Sequence, residues 1–236
     1  MWMTQGDFTV AHLVVNQVGG YGVEPMVDFF RRHGLDTARV VALRQRGNAF
    51  KRGVPAIPLS YRRIFDDQSL LIGAHHWRVM VGYGHAAEHA SLYSAEPGVL
   101  ISGDMLLPRI STNVAASAVN PDDDPLQLFL DSTAAFRVLP ADTLVLPSHG
   151  RPFRGLHARV DQLHVHHAGR CALLVDACRT PQHAAALIPL LFERDIADAH
   201  QLMFAMGEAI AHLNHLHHTG RLVRCEENGI IHFTTP

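Results

Sequence analysis

The chain has 236 residues, 47% of them hydrophobic and 18% charged, with a formal net charge of −2. That length holds one sizeable core, or a core with a small appendage. No apolar run approaches the ~18–20 residues of a membrane-spanning helix, and no basic stretch followed by an apolar one marks a secretory leader. The three cysteines (Cys171, Cys178 and Cys225) are odd in number and lack metal-ligand spacing, a usage that suits a reducing cytoplasm.

The first third reads as helical. Asp7 to Val18 places Val10, Val14 and Val18 on one face and is broken by Gly19-Gly20. Pro25 opens a second helix through Met26, Phe29 and Phe30, which Gly34 stops, and a third segment covers Val40 to Leu43 before the loop Gly53 to Pro58. From Arg39 to Arg63 run seven basic residues (Arg39, Arg44, Arg46, Lys51, Arg52, Arg62, Arg63) and no acidic one. Such a run either draws an anionic substrate, a coenzyme-A ester, a glutathione ester or RNA, or is a solvated face, which is the plainer reading.

From Ser69 the period changes to that of strands. Ser69 to Ile72 and Trp77 to Val81 are joined by a turn at Gly73, which puts His75-His76 at a hairpin turn. Ser91 to Ser94 and Val99 to Ile101 are joined by Glu96-Pro97-Gly98. Asp124 to Arg137 is a helix with Leu126, Phe129, Leu130 and Phe136 inward, followed by a buried strand, Leu144 to Leu146. A long helix is striped by Leu156, Val160, Leu163, Cys171 and Leu174. Two more follow, Pro181 to Phe192 and Ala199 to Thr219, the last capped by Gly220. The tail is a hairpin, Arg221 to Cys225 and Ile230 to Phe233, turning at Asn228-Gly229.

Three islands carry the chemistry: Gly84-His85-Ala86-Ala87-Glu88-His89, Ser102-Gly103-Asp104 and Ser148-His149-Gly150, each following an expected strand. A His, an Asp and a His at successive strand ends can converge on one edge of a sheet, the arrangement needed for a metal site assembled from distant residues. His89, four residues after His85, either faces that site or is a structural histidine. Arg109 and Asn113 lie in a loop after Asp104 that can roof the pocket and contact substrate. The other histidine clusters, His164-His166-His167 and His212-His215-His217-His218, fall mid-helix and read as packing or surface residues.

These islands resemble the metallo-β-lactamase superfamily. His85 matches its Gly-His-(Thr/Ser)-Pro-Gly-His segment, Asp104 its Ser/Thr-Gly-Asp and His149 its closing Ser-His-Gly, in the family's order and spacing. The resemblance implies an α/β (α+β) chain: an incomplete αββα sandwich over 1–178, then a winged-helix-like appendage over 179–236. It further implies a zinc-dependent hydrolase acting on an ester, thioester or related bond of a small, possibly anionic substrate. His85 would ligate one zinc and His149 a second, and Asp104 would bridge the two and serve catalysis. Metal binding lowers the pKa of water from 15.7 to about 7, giving a hydroxide at neutral pH.

Two departures stand out. Glu88 and Ala87 replace the Gly and Pro of the family segment. The family's His-x-His-x-Asp-His block, which supplies four ligands, is expected to be missing, since nothing in Met1-Trp2-Met3-Thr4 resembles it. The expected consequences are an N-terminally incomplete enzyme that binds zinc weakly, and a sheet edge left bare. A non-catalytic binding module and an RNA-processing nuclease are the alternatives. Nucleic acid is the weaker expectation, because residues 180–236 carry three arginines (Arg194, Arg221, Arg224) against six acids (Glu193, Asp195, Asp198, Glu208, Glu226, Glu227).

Overall fold

The structure, a computed structural model, describes residues 1–54, 56–192 and 196–236; Glu193, Arg194 and Asp195 of the charge count above lie outside the described residues. The chain forms two compact units that interleave along the sequence. The first comprises residues 1–10, 58–113 and 127–166, the second residues 11–57, 114–126 and 167–236. Among the described residues no helix is long and apolar enough to cross a membrane.

The first unit is built on a five-stranded sheet. Strands β3 (Ser69–Ile72), β4 (His75–Gly82), β5 (His89–Ser94) and β6 (Val99–Gly103) run antiparallel in sequence order, and β7 (Leu144–Pro147) lies parallel to β6. A parallel neighbour requires a crossover, and the intervening segment contains α5 (Pro125–Ala135). Two short strands, β1 (Trp2–Met3) and β2 (Arg62–Arg63), pair separately and in parallel. Ile64, Leu70 and Val79 form a buried cluster against Val81, Ala90 and Leu92, the alternate-residue pattern of half-buried strands. β3 is an outer strand with Leu71 and Ile72 exposed. On β7, Val145 exchanges two backbone hydrogen bonds with Phe153.

The second unit is mainly helical, with α2 (Val23–Arg32), α3 (Thr37–Arg46), α4 (Ala49–Gly53), α7 (Ala184–Phe192) and α8 (Ala199–His218), and a hairpin of β8 (Val223–Glu227) and β9 (Ile230–Thr234). Three helices contribute to both units: α1 (Gln5–Val15), divided after Val10, α5, divided after Leu126, and α6 (Leu156–Ala177), divided after His166. α8 is buried on most sides, its Leu202, Ala205, Met206, Ala209, Ile210 and Leu213 all inside.

The element boundaries differ from the sequence reading at three places with identifiable causes. α1 ends at Val15 because the Asn16 side chain donates to the His12 carbonyl (2.9 Å) and Gln17 turns left-handed at φ 52°. α7 starts at Ala184 and not at Pro181, because Gln182 exchanges backbone hydrogen bonds with Phe233 and is held extended. His75 and His76 are not in the turn: they open β4, paired with Ile72 and Leu71, and the turn is Gly73-Ala74 with Gly73 at φ 63°.

The basic run divides between the units. Arg62 and Arg63 lie over the Trp2 and Phe65 rings, at 4.4 and 4.5 Å from the centroids. Arg44 forms a bidentate pair with Glu24, which holds that carboxyl below its usual range, and Arg46 donates to His200 Nδ1 (2.6 Å). Two members of the run thus lie over aromatic rings of the first unit, and two others are engaged within the second.

Candidate functional site

The three sequence islands meet at the ends of β4, β6 and β7. His85 lies in the loop after β4, Asp104 just past β6 and His149 just past β7. β6 and β7 are parallel, so both deliver their following residues to the same sheet edge; β4 is antiparallel to β5, which is antiparallel to β6, so its end arrives there too. The Asp104 carboxylate lies between the two imidazoles. Its Oδ2 is 3.5 Å from His85 Nε2 and its Oδ1 is 3.5 Å from His149 Nε2. His85 and Asp104 are partly buried (24% and 31% side-chain exposure), whereas His149 is open at 69%.

Local backbone chemistry explains the placement. Between Ile101 and Gly103 the β6–β7 register shifts, a bulge of the kind that re-aims a side chain at the end of a strand. The Ser102 hydroxyl, buried there, donates to the Leu106 carbonyl (2.9 Å). Gly103 is left-handed at φ 53°, and a Cβ on it would lie 2.5 Å from the His89 ring. No other residue fits that position without moving the ring.

His89 meets the site through the Asp104 main chain. Its Nε2 accepts the Asp104 backbone N–H (3.2 Å), so it holds the strand end that carries the carboxylate. Burial, followed by the neighbouring His85, pushes its pKa down, and the neutral form is the one that accepts. Asn113 meets the site through its main chain. Its carbonyl accepts from His85 Nδ1 (2.9 Å), which places the neutral ring's proton on Nδ1 and leaves the Nε2 lone pair facing Asp104. A carbonyl behind Nδ1 is the usual support of a metal-ligating imidazole. Arg109 is exposed in the loop beside His149.

Ser148, Thr112, Asp7 and Glu88 also shape the site, in roles that the sequence did not announce. The Ser148 hydroxyl donates to Asp104 Oδ1, and the Thr112 hydroxyl donates to the Asp104 carbonyl. At the start of α1, Asp7 Oδ1 accepts the Glu88 backbone N–H (3.1 Å), and Glu88 Oε2 accepts the Gly6 N–H (2.8 Å). A carboxylate there satisfies an orphan donor of the first helical turn. A Cβ on Gly6 would lie 2.8 Å from Glu88 Cγ, so the Glu88 departure is matched by a glycine opposite. Burial raises the Asp7 pKa, against the opposing Glu88 hydrogen bond and the His89 and His85 charges. Segment Thr4–Asp7 thus docks on the His85–His89 loop, which its sequence did not announce; the only signal was an Asp next to a Gly at a helix start.

The donors suit a borderline ion such as zinc in type, two imidazoles and a carboxylate. They do not suit it in number. Each side of Asp104 offers one imidazole nitrogen and one carboxylate oxygen, whereas a catalytic zinc takes three protein ligands and a water. Among the described residues, no group of three or more His, Cys, Asp or Glu side chains is arranged to hold one metal ion. The residues present therefore do not fit a firmly held ion.

The sequence model described as "Metallo-beta-lactamase superfamily" matches residues 11–149, more than half of the chain. The chain belongs to this superfamily. A second model, "Metallo-beta-lactamase-like, C-terminal domain", matches residues 171–236. Among solved structures, a β-lactamase domain protein from Burkholderia ambifaria superposes with a TM-score of 0.91 at 44% identity, covering 100% of this chain and 66% of that one. A metallo-β-lactamase family protein from Thermus thermophilus gives 0.81 at 26% identity, over 100% of this chain and 71% of the other. The probable metallo-hydrolase YqjP of Bacillus subtilis (strain 168) is 25% identical over 170 residues, 69% of this chain and 51% of YqjP. The chain thus spans about half of YqjP and just under two thirds of the Burkholderia protein. The mixed helix–strand fold is that of the superfamily.

Proposed function

We propose that the chain is a hydrolase domain of the metallo-β-lactamase superfamily, acting on an ester, thioester or related bond, and that these 236 residues alone bind zinc weakly and hydrolyse little. One observation carries this reading: His85 and His149 each stand 3.5 Å from a different oxygen of the single Asp104 carboxylate. The pairing of His85 Nδ1 with the Asn113 carbonyl supports a ligand role for the opposite nitrogen. The donor count supports the weakness. In this reading residues 1–178 form the metallo-β-lactamase-like body and 179–236 a winged-helix-like appendage, in a cytoplasmic protein.

A zinc titration followed by a competing fluorescent chelator tests it. The expected result is binding weaker than micromolar that disappears in Asp104→Ala; two equivalents held at sub-micromolar affinity would refute the proposal. A non-catalytic module is the second reading, favoured by the Ser148 hydroxyl, which already occupies Asp104 Oδ1. It requires that zinc and chelators leave the melting temperature unchanged and that Asp104-dependent hydrolysis is absent.

A further inference from the structure

Next to His149 lies a cavity of about 670 Å³, entirely within the first unit. Two loops wall it, and both are fixed. The loop with Pro108, Arg109 and Ile110 is held by the Arg159 guanidinium, which donates to the Leu107 carbonyl (2.6 Å) and the Ile110 carbonyl (2.8 Å). The loop after β7 is held where Phe153 pairs with Val145. The loops touch at Gly150, left-handed at φ 89°, where a Cβ would lie 2.6 Å from Pro108 Cγ. A side chain at position 150 would separate the loops.

The lining combines charge of one sign with apolar surface. Arg109 and Arg151 both line the cavity, and neither makes a hydrogen bond or ion pair among the described residues. Among the described residues no acidic one lines it, whereas Ile110, Phe153 and Pro108 supply apolar wall. The contrast with other arginines of the chain is sharp: Arg44 is paired with Glu24, Arg78 with Asp67 and Arg137 with Asp161. Two uncompensated guanidiniums beside an imidazole raise the local positive potential, and the fork of an arginine matches a carboxylate or phosphoryl group.

We propose that this cavity binds the anionic end of the substrate, a carboxylate or phosphoryl group on an apolar stem, between Arg109 and Arg151. The stem packs on Ile110 and Phe153, and the rest of the molecule lies against His149. The proposal rests on reading the His85–Asp104–His149 cluster as the reacting end of the site.

Binding measured by calorimetry on the full chain in excess chelator tests this without turnover. The probes share one apolar stem: hexyl phosphate, hexanol and hexyltrimethylammonium. The expected result is a single site for hexyl phosphate, with the alcohol and the cation at least about tenfold weaker. The double variant Arg109→Ala/Arg151→Ala should weaken hexyl phosphate by about tenfold or more, and Arg109→Lys/Arg151→Lys should recover part of that loss. Both side chains are exposed, so the variants should melt as the parent does. Equal binding of hexanol and hexyl phosphate, or an unchanged affinity in the alanine double variant, would overturn the proposal. The zinc titration is a separate readout. Tight zinc with arginine-dependent phosphate binding would refute only the weak-metal reading; weak zinc without arginine dependence would refute only the substrate class.

Discussion

Histidines of the two units do opposite work. In the first unit, His85 and His149 present a nitrogen to one carboxylate across 3.5 Å, and His149 is mostly exposed. In the second, His167 and His212 are fully buried, linked to each other at 3.1 Å, and His212 Nδ1 donates to the Glu208 carbonyl at 2.8 Å. His215 is likewise engaged, with Asp124 at 3.0 Å. The difference lies in where each ring is mounted. A strand end delivers a ring to an open edge with one nitrogen unspent, whereas a packed helix surrounds it and commits its hydrogen bonds to structure. The expectation that the mid-helix histidines serve packing follows from the same distinction.

The largest expected effects therefore fall in the second unit. Beside the buried histidines, Glu208 forms an ion pair with Arg170, and the two side chains are only 8% and 15% exposed. Burial raises the Glu208 pKa while Arg170 opposes that shift. Glu208→Ala leaves a guanidinium desolvated without its partner and should cost about 3–5 kcal/mol in urea denaturation. A loss below about 1 kcal/mol would mean that Arg170 finds water or another acceptor, and the contrast between the units would weaken.

A pH dependence follows next. His33 is 1% exposed, and burial, helped by Arg32 and Arg224, pushes its pKa down to about 4. The unfolded chain takes up this proton near pH 6.5 and the folded chain only near 4, so stability should fall as pH drops through that window. The loss from this group should reach at most about 3 kcal/mol below pH 4. Comparing the parent with His33→Leu by denaturation at pH 7 and pH 4.5 isolates it: the variant should lose less stability on acidification. Equal losses in both would show that His33 does not carry the dependence.

Smaller still is the cost of disturbing the support beneath Asp104. Gly103→Ala puts a Cβ in a left-handed position and against the His89 ring, and should cost about 1–3 kcal/mol while moving the carboxylate. The readout is a lower melting temperature together with lost zinc response. A variant as stable as the parent would show that β6 ends less rigidly than its bulge suggests.

The strand ends were legible because apolar runs end at Val81, Ile101 and Leu146, and side-chain chemistry sits shortly after each. That pattern puts His85, Asp104 and His149 just after strands, and the structure brings their side chains together. The pattern could not show that Asn113 acts through a carbonyl, since main-chain donors and acceptors leave no trace in residue type. Nor could it show Asp7 and Glu88 in one hydrogen-bonded cluster, because their pairing joins residues 81 apart through a helix start. His89 was ambiguous for a related reason. It either faces the site or is structural, and residue type does not show that its ring accepts the Asp104 N–H.

The smallest expected stability change is the most telling about the site. Asp104→Asn keeps an oxygen able to accept from Ser148 and keeps the side chain's volume, while removing the charge between two imidazoles. Because the carboxylate is 31% exposed and both imidazole nitrogens stand 3.5 Å from it, unfolding should change by less than about 1 kcal/mol. Zinc affinity, however weak in the parent, should fall by about tenfold or more. The inverse outcome, a strongly destabilised protein whose zinc binding persists, would make Asp104 a structural residue like those of the second unit. A stable variant that no longer responds to zinc would instead place the chemistry of the strand-end histidines on that single carboxylate.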